Sequence, residues 1–308
     1  MLNIVFTLLP IFLLISLGYY FHKQKTFSEG FWSGIEHLCY YILFPSLIIN
    51  TLSKTNFNDF PAINIAYTMG GSVVIMVIIV GILYFPARAL GVSGASYSSI
   101  FQGATRWNTF AMIAIIDGFY GHVGVSIAAI AVAVMIPILN IANVIALAIM
   151  AGKNKPSIKS ITNLLVKNPL IVACFIGLLI NFTGISLWKP LSSMMELLGR
   201  SALALSLMAV GVGVSFVSLK KAGLSVIFTS TLKLALMPAI MFVLCDFFGV
   251  EGIPRTIAIL CGASPTAAAS FILSRKMGGD STLMANIISL ETLLSVITIP
   301  IILYYIGV

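Results

Sequence analysis

Gly262-Ala263-Ser264-Pro265-Thr266-Ala267 lies about halfway along an apolar run at about 254–275, and its reading decides the fold. Pro265 has no amide donor and clashes with the turn before it, but it suits the first position of a new helix. Ser264 has the side chain of a helix N-cap. The expectation is a helix that stops and restarts inside the run. A second such stretch, Gly103-Ala104-Thr105-Arg106-Trp107-Asn108-Thr109, sits midway along the run at about 96–116, and Asn108 can cap a restart there. Each restart presents unpaired amides and a partial positive charge, and Arg106 adds a full one. Amides and a guanidinium together suit an anion. In a plainer reading Pro265 only kinks its helix and Asn108 satisfies a local carbonyl. The recurrence of the pattern favours paired breaks.

Around these stretches the chain is built for lipid. Its 308 residues are 59% hydrophobic and 8% charged, with a mean hydropathy of +1.09. A soluble domain carries roughly 25% charged residues. Apolar runs lie at about 3–21, 35–52, 62–85, 96–116, 122–150, 168–183, 192–217, 223–247, 254–275 and 282–306. Each is near the roughly 20 residues that a spanning helix needs, and a spanning backbone must bond internally. The predicted fold class is an all-α integral membrane protein with ten transmembrane helices. The opening run has no basic segment before it and is followed by His22-Lys23-Gln24-Lys25, so it reads as the first span rather than a signal peptide.

Loop charge orients the spans. The odd-numbered connections carry Lys23 and Lys25, then Arg88, then Lys153, Lys155, Lys159 and Lys167, then Lys220 and Lys221, then Arg275 and Lys276. The even ones carry only Lys54, Lys189 and Arg255. The odd connections are therefore expected inside and both termini outside the cell's plasma (inner) membrane. The net charge of +8 follows from this asymmetry and gives no sign of nucleic acid. Residues 151–167 form a basic linker between a first five-span repeat, 1–150, and a second, 168–308. Five being odd, the repeats are inverted, and Gly103–Thr109 and Gly262–Ala267 become equivalent positions in spans four and nine.

Other features are weighed against plainer readings. Pro45 and Ser46 break the pattern of span two, and Gly211 and Gly213 its counterpart in span seven; small residues allow close packing or a nearby substrate. Arg106, Lys233 and Glu291 are intramembrane charges, which suggest function by default. Lys233 and Glu291 fall at similar depth, so a structural ion pair is expected; the alternative is a coupling proton on Glu291 or substrate on Lys233. Glu196 and Arg200 are spaced as a helix-surface pair, while Asp117 and His122 bound a short outer loop. Cys39, Cys174, Cys245 and Cys261 have no ligand spacing and read as buried hydrophobes, with no metal and no cofactor expected.

An enzyme is the reading from a different class. Gly91-Val92-Ser93-Gly94 matches an intramembrane protease motif, but Ser93 is expected on the inner side and His122 on the outer, while His22 and His37 lack a dyad setting. Asp280 has no partner aspartate. The prediction is no enzyme.

Asn168-Pro169-Leu170-Ile171, Lys233-Leu234-Ala235-Leu236-Met237-Pro238, Ser264-Pro265-Thr266-Ala267, Ser274-Arg275-Lys276-Met277-Gly278-Gly279-Asp280 and Glu291-Thr292-Leu293-Leu294-Ser295 through Pro300 resemble the auxin efflux carrier family. That family holds the plant PIN-FORMED carriers and bacterial malate or malonate permeases. The resemblance implies crossed broken helices four and nine, as in bile-acid symporters and sodium/proton antiporters. It also implies a transport domain of spans 3–5 and 8–10, a scaffold of spans 1, 2, 6 and 7, and a homodimer. Asn108 matches the family's crossover asparagine and Pro265 its second crossover proline. Trp107 replaces the proline usual in plant members, Glu291 stands where a small hydroxyl residue is commoner, and the long cytoplasmic loop is absent. These departures point to a bacterial member with a carboxylate substrate. The expected substrate site is Arg106, Asn108, Thr109, Ser264, Pro265 and Thr266, with Pro45 and Ser46 as weaker members, and Lys233 and Glu291 as coupling or ion-pair residues. The expected partners are a small organic anion and the bilayer, with a proton or sodium as possible coupling ion. A cation/proton exchanger is the alternative, disfavoured here because no acid stands in the crossover sequence itself.

Overall fold

The computed structural model describes residues 2–57, 60–151, 166–213, 223–267 and 269–307, with side chains from Leu9 onward except that of Lys276. Most of the basic linker, with Lys153, Lys155 and Lys159, lies outside the described residues, as do Lys220 and Lys221.

Every regular element among the described residues is a helix. These are α1 (Leu2–Lys23), α2 (Glu29–Leu52), α3 (Ala62–Ile82), α4 (Tyr84–Ala89), α5 (Gly94–Thr105), α6 (Thr109–Met150), α7 (Pro169–Thr183), α8 (Lys189–Val212), α9 (Leu224–Phe248), α10 (Gly252–Ala263), α11 (Ala269–Met277) and α12 (Ser281–Tyr305). Six stretches of the described residues are long and apolar enough to cross a membrane: Glu29–Leu52, Ala62–Ala89, Gly94–Met150, Lys189–Val212, Leu224–Phe248 and Ser281–Tyr305. Pro169–Thr183 and Gly252–Ala263 are shorter apolar helices. The protein is a multi-pass, all-helical membrane protein.

The sequence sets the helix ends. Ser28, Ser93, Asn168 and Asp280 accept backbone N–H groups of the first turns of α2, α5, α7 and α12. Gly184 (φ 68°) and Gly249 (φ 66°) take the left-handed conformation that closes α7 and α9. Two mid-helix prolines are accommodated by π-turns. Phe44 N–H donates to Cys39 O before Pro45, and Met237 N–H donates to Leu232 O before Pro238. The wider turn relieves the clash a proline ring makes with the carbonyl four residues back.

α6 is a helical hairpin. Gly121 (φ 53°, ψ −143°) is non-helical. A Cβ on Gly124 would lie 2.7 Å from Ile116 Cγ2 and 3.0 Å from Ile116 O. Residues eight apart in a straight helix stand about 12 Å apart, so the axis folds back at Gly121.

Glycines set the closest packing. Gly18 of α1 lies against Met208 O of α8, and Gly211 of α8 lies against Ile15 O of α1, so neither position has room for a Cβ. Gly211 is thus a packing residue, whereas a Cβ on Gly213 would meet only Val210 O at 3.4 Å. α2 packs on α7 and α8, where Asn181 Nδ2 donates to Leu52 O (3.0 Å) and Thr55 O (2.7 Å), and Ser192 Oγ to Asn50 Oδ1 (2.9 Å). α3 packs on α6 and α9, where Asn64 Nδ2 donates to Phe248 O at 2.9 Å. α5, α10, α11 and α12 pack with α6 and α9 around the two interruptions.

Candidate functional site

The two interruptions bond to each other. Asn108 N–H donates to Pro265 O at 2.7 Å and to Ser264 Oγ at 2.9 Å. Ser264 Oγ lies 3.3 Å from Asn108 O, and Thr266 Oγ1 donates to Gly103 O at 2.6 Å. Had α5 continued, Gly103 O would have received the N–H of Trp107. The break removes that donor, and the Thr266 hydroxyl supplies another. Ser264 and Thr266 are fully buried and Asn108 nearly so. In a region this dry, each opened backbone needs the other.

Asn108 caps as the sequence leads one to expect: its Oδ1 accepts from Ala111 N at 3.1 Å and starts α6, which opens with the buried Thr109. Ser264 and Pro265 depart from expectation. Ser264 (φ −61°, ψ 136°) closes α10 instead of capping a new helix, the chain continues without helix through Ala267, and α11 begins at Ala269. The physical reason is the partner: the Ser264 hydroxyl is bonded across to Asn108, so it does not serve the amides after Pro265. On this side the exposed amide is that of Thr266.

That amide is already occupied. Glu291 of α12, fully buried, accepts Thr266 N–H on Oε2 at 2.8 Å. The sequence reading left the crossover without an acid; the structure brings one there from another helix. Lys233 is also fully buried, within the π-turn of α9. It lies between Thr229 and Pro238, which touch the two broken helices: a Cβ on Gly103 would stand 2.6 Å from Thr229 Cγ2, and one on Gly262 would stand 3.1 Å from Pro238 Cα. The expected Lys233–Glu291 contact pair is not formed. The ion pairs within 4.0 Å among the described residues are His22–Glu29, Arg200–Glu196 and Arg255–Asp246. Lys233 Nζ and Glu291 Oε1 have no hydrogen-bond partner among the described residues. Thr266 takes the carboxylate that the sequence alone would assign to Lys233.

Arg106 leaves the break toward the hairpin's second arm. It is half-buried, and its Nη2 donates to Asn140 Oδ1 at 2.9 Å. Phe44 of α2 stacks on Phe110 beside the break, with centroids 4.2 Å apart. Arg106 thus stands where α2 meets the crossing. Pro45 and Ser46 follow Phe44, but Ser46 Oγ donates to Ile42 O of its own helix at 2.8 Å. An apolar recess of about 730 Å³ lies elsewhere, lined by residues such as Phe60, Ile130, Leu178 and Phe182. Its walls offer an anion little to bind. Ser93 Oγ caps α5 and bonds Ser96, the role of a turn residue rather than a nucleophile.

A profile of the membrane transport protein family matches residues 3–303. The chain belongs to this family. It is also 26% identical over 322 residues to a protein of Rhizobium meliloti (strain 1021) named "Putative malonate transporter", covering 99% of this chain and 97% of that one. The resemblance to auxin efflux carriers, carried by motifs such as Ser264–Ala267, is thereby borne out, and the chain is a membrane transport protein rather than a member of an enzyme family. Asn140 and Asn143 were missed by the sequence reading. Asn143 Oδ1 lies 3.3 Å from Thr105 Oγ1 at the end of α5. Their three-residue spacing in an apolar run was the available signal, since buried amides need partners.

Proposed function

We propose that this membrane transport protein is a secondary transporter that carries a small organic anion, a carboxylate such as malate, malonate or an auxin-like acid, by alternating access. The observation that carries this reading is the joining of two helix interruptions beside a half-buried guanidinium whose one hydrogen bond among the described residues goes to Asn140. Arg106 would hold the carboxylate through a charge-assisted bond, next to the helix N-terminus capped by Asn108. The relative's name speaks for a dicarboxylate.

The proposed topology has ten spans in two inverted repeats. α5 with the first arm of α6 makes span four, and α10 with α11 makes span nine. Two groups would move against each other: α1, α2, α7 and α8 as scaffold, and the helices around the crossing as the moving part, with Arg106 and the Phe44–Phe110 stack at their boundary. Both termini lie outside the plasma membrane and the protein works as a homodimer in this proposal. A cation/proton exchanger is favoured by one observation, the Glu291 carboxylate on the Thr266 amide. Lys233 argues against a metal cation there, because it supplies positive charge to the same buried region.

Proteoliposome flux separates the readings. Uptake of labelled malonate, with no sodium/proton exchange under a pH gradient, is the expected result. Cation exchange without carboxylate flux overturns the proposal.

A further inference from the structure

We propose that the apolar recess binds one acyl chain of an anionic phospholipid, with Lys54 holding the phosphate at its mouth. The lipid is thereby wedged between α2 and α7 on one side and α3 and α6 on the other. The binding site stands on the recess itself; only its bearing on transport rests on the carrier reading above.

Wall chemistry decides the occupant. The recess holds about 730 Å³ between Leu52 at the end of α2, Leu178 and Phe182 of α7, Ile63 of α3, and Ala133 and Val134 in the second arm of α6. Ile63 and Phe182 are 68% and 78% exposed, so it opens onto surface that the bilayer covers. Asn64 is the one polar side chain among its described lining residues, and its Nδ2 already donates to Phe248 O at 2.9 Å. A buried water needs about two to four polar partners, which these walls do not offer. An empty space would strip the walls of dispersion contacts. A helix fills about 400–600 Å³ per turn at a diameter of about 10–12 Å, so a spanning partner helix does not fit. The volume lies in the range of about 300–1,000 Å³ that takes one small molecule. A flexible hydrocarbon chain entering from the bilayer meets every one of these conditions.

Hydrocarbon alone gives no preference, because the surrounding lipid is equally apolar. Lys54 supplies one. It follows Leu52 by two residues and precedes Phe57 by three, and both of these line the recess. Its turn is pinned next to Phe182, since Asn181 Nδ2 donates to Leu52 O at 3.0 Å and to Thr55 O at 2.7 Å. Lys54 is exposed and forms no ion pair within 4.0 Å among the described residues. A lysine at the membrane surface favours anionic headgroups. The recess also straddles the boundary at which the proposed scaffold, with α2 and α7, meets the proposed moving part, with α3 and α6. The bond from Thr55 Oγ1 to Ser126 Oγ, at 2.8 Å, crosses the same boundary. Any sliding of one group on the other changes the width of the recess, so a chain bound there has to move with it.

The test is native mass spectrometry of the full chain purified in mild detergent, with phosphatidylglycerol and phosphatidylcholine of the same acyl chains added in competition. The expected result is one phosphatidylglycerol retained per chain, preferred about fivefold over phosphatidylcholine. Ala133→Phe fills the recess from α6 and Ala66→Phe fills it from α3; each is expected to lose the retained lipid. Lys54→Gln changes an exposed side chain, so it is expected to fold whatever the filled variants do, and to lose the preference between the two lipids. A wild type that retains no lipid, or retains both lipids equally, overturns the proposal. So does retention that persists in a folded, filled variant, or a preference that survives Lys54→Gln. Malonate takes no part in this measurement, so its failure leaves the anion-carrier reading standing.

Discussion

Thr266→Val removes one of the bonds that tie the two broken helices together, and it does so without touching the others. The substitution keeps the side chain's shape and branching, so it opens no cavity. It also leaves the backbone N–H to Glu291 in place. It removes the hydroxyl that donates to Gly103 O at 2.6 Å in a fully buried setting. That carbonyl has already lost its helical donor to the break, so it would be left unpaired. An unsatisfied buried polar group costs about 1–3 kcal/mol. At about 2 °C per kcal/mol for a chain of this size, the melting temperature of the purified protein should fall by roughly 2–6 °C. Thr266→Ser restores the hydroxyl and should recover most of the loss, despite its smaller volume. Thermal unfolding in detergent, followed by intrinsic fluorescence, reads both variants. A Thr266→Val protein that melts with the wild type, or a Thr266→Ser protein that melts as low as Thr266→Val, would refute the reasoning that the breaks depend on each other's polar groups.

Three further outcomes are expected. Gly211→Ala should lower folded yield and melting temperature, because its Cβ meets Ile15 O of α1, while Gly213→Ala should be close to neutral; size-exclusion yield compares them. Asn108→Asp keeps an acceptor for Ala111 N and should fold, but it places a negative charge at the anion site and should abolish carboxylate uptake; Asn108→Ala should cost about 1 kcal/mol through loss of the cap. Arg106→Gln retains an amide donor for Asn140 while removing the charge, and should weaken malonate binding about 10- to 100-fold in calorimetry with little change in melting temperature.

The architecture was legible where one physical demand leaves one solution. Long apolar runs can only be helices in lipid, and Asn108 inside such a run, matched by a second polar stretch at the equivalent place, favours a restarted helix. Gly121 was hidden. Its folding-back of α6 shows as a short polar gap in the sequence, at Asp117 to His122, but the helix continues almost through it. The site was half legible. Gly103–Thr109 and Gly262–Ala267 announce breaks by their composition, yet nothing local says which hydroxyl bonds which backbone. Ser264 looks like a cap for its own helix and instead serves Asn108, a choice made 156 residues away in the chain. Glu291 could be placed at the depth of Lys233 by counting residues, but its hydrogen bond to Thr266 depends on how α12 turns in the assembled bundle. Arg106 likewise reads as a free cation until Asn140 on the hairpin's second arm is brought beside it.

A structure of the purified chain with malonate bound, determined by electron cryomicroscopy, tests the central claim most directly. The account predicts ligand density at the joined interruptions, with one carboxylate within hydrogen-bond distance of the Arg106 guanidinium and beside the first turn of α6. Density seated elsewhere, such as in the apolar recess by Phe60 and Phe182, with the crossing unchanged and empty, would contradict it.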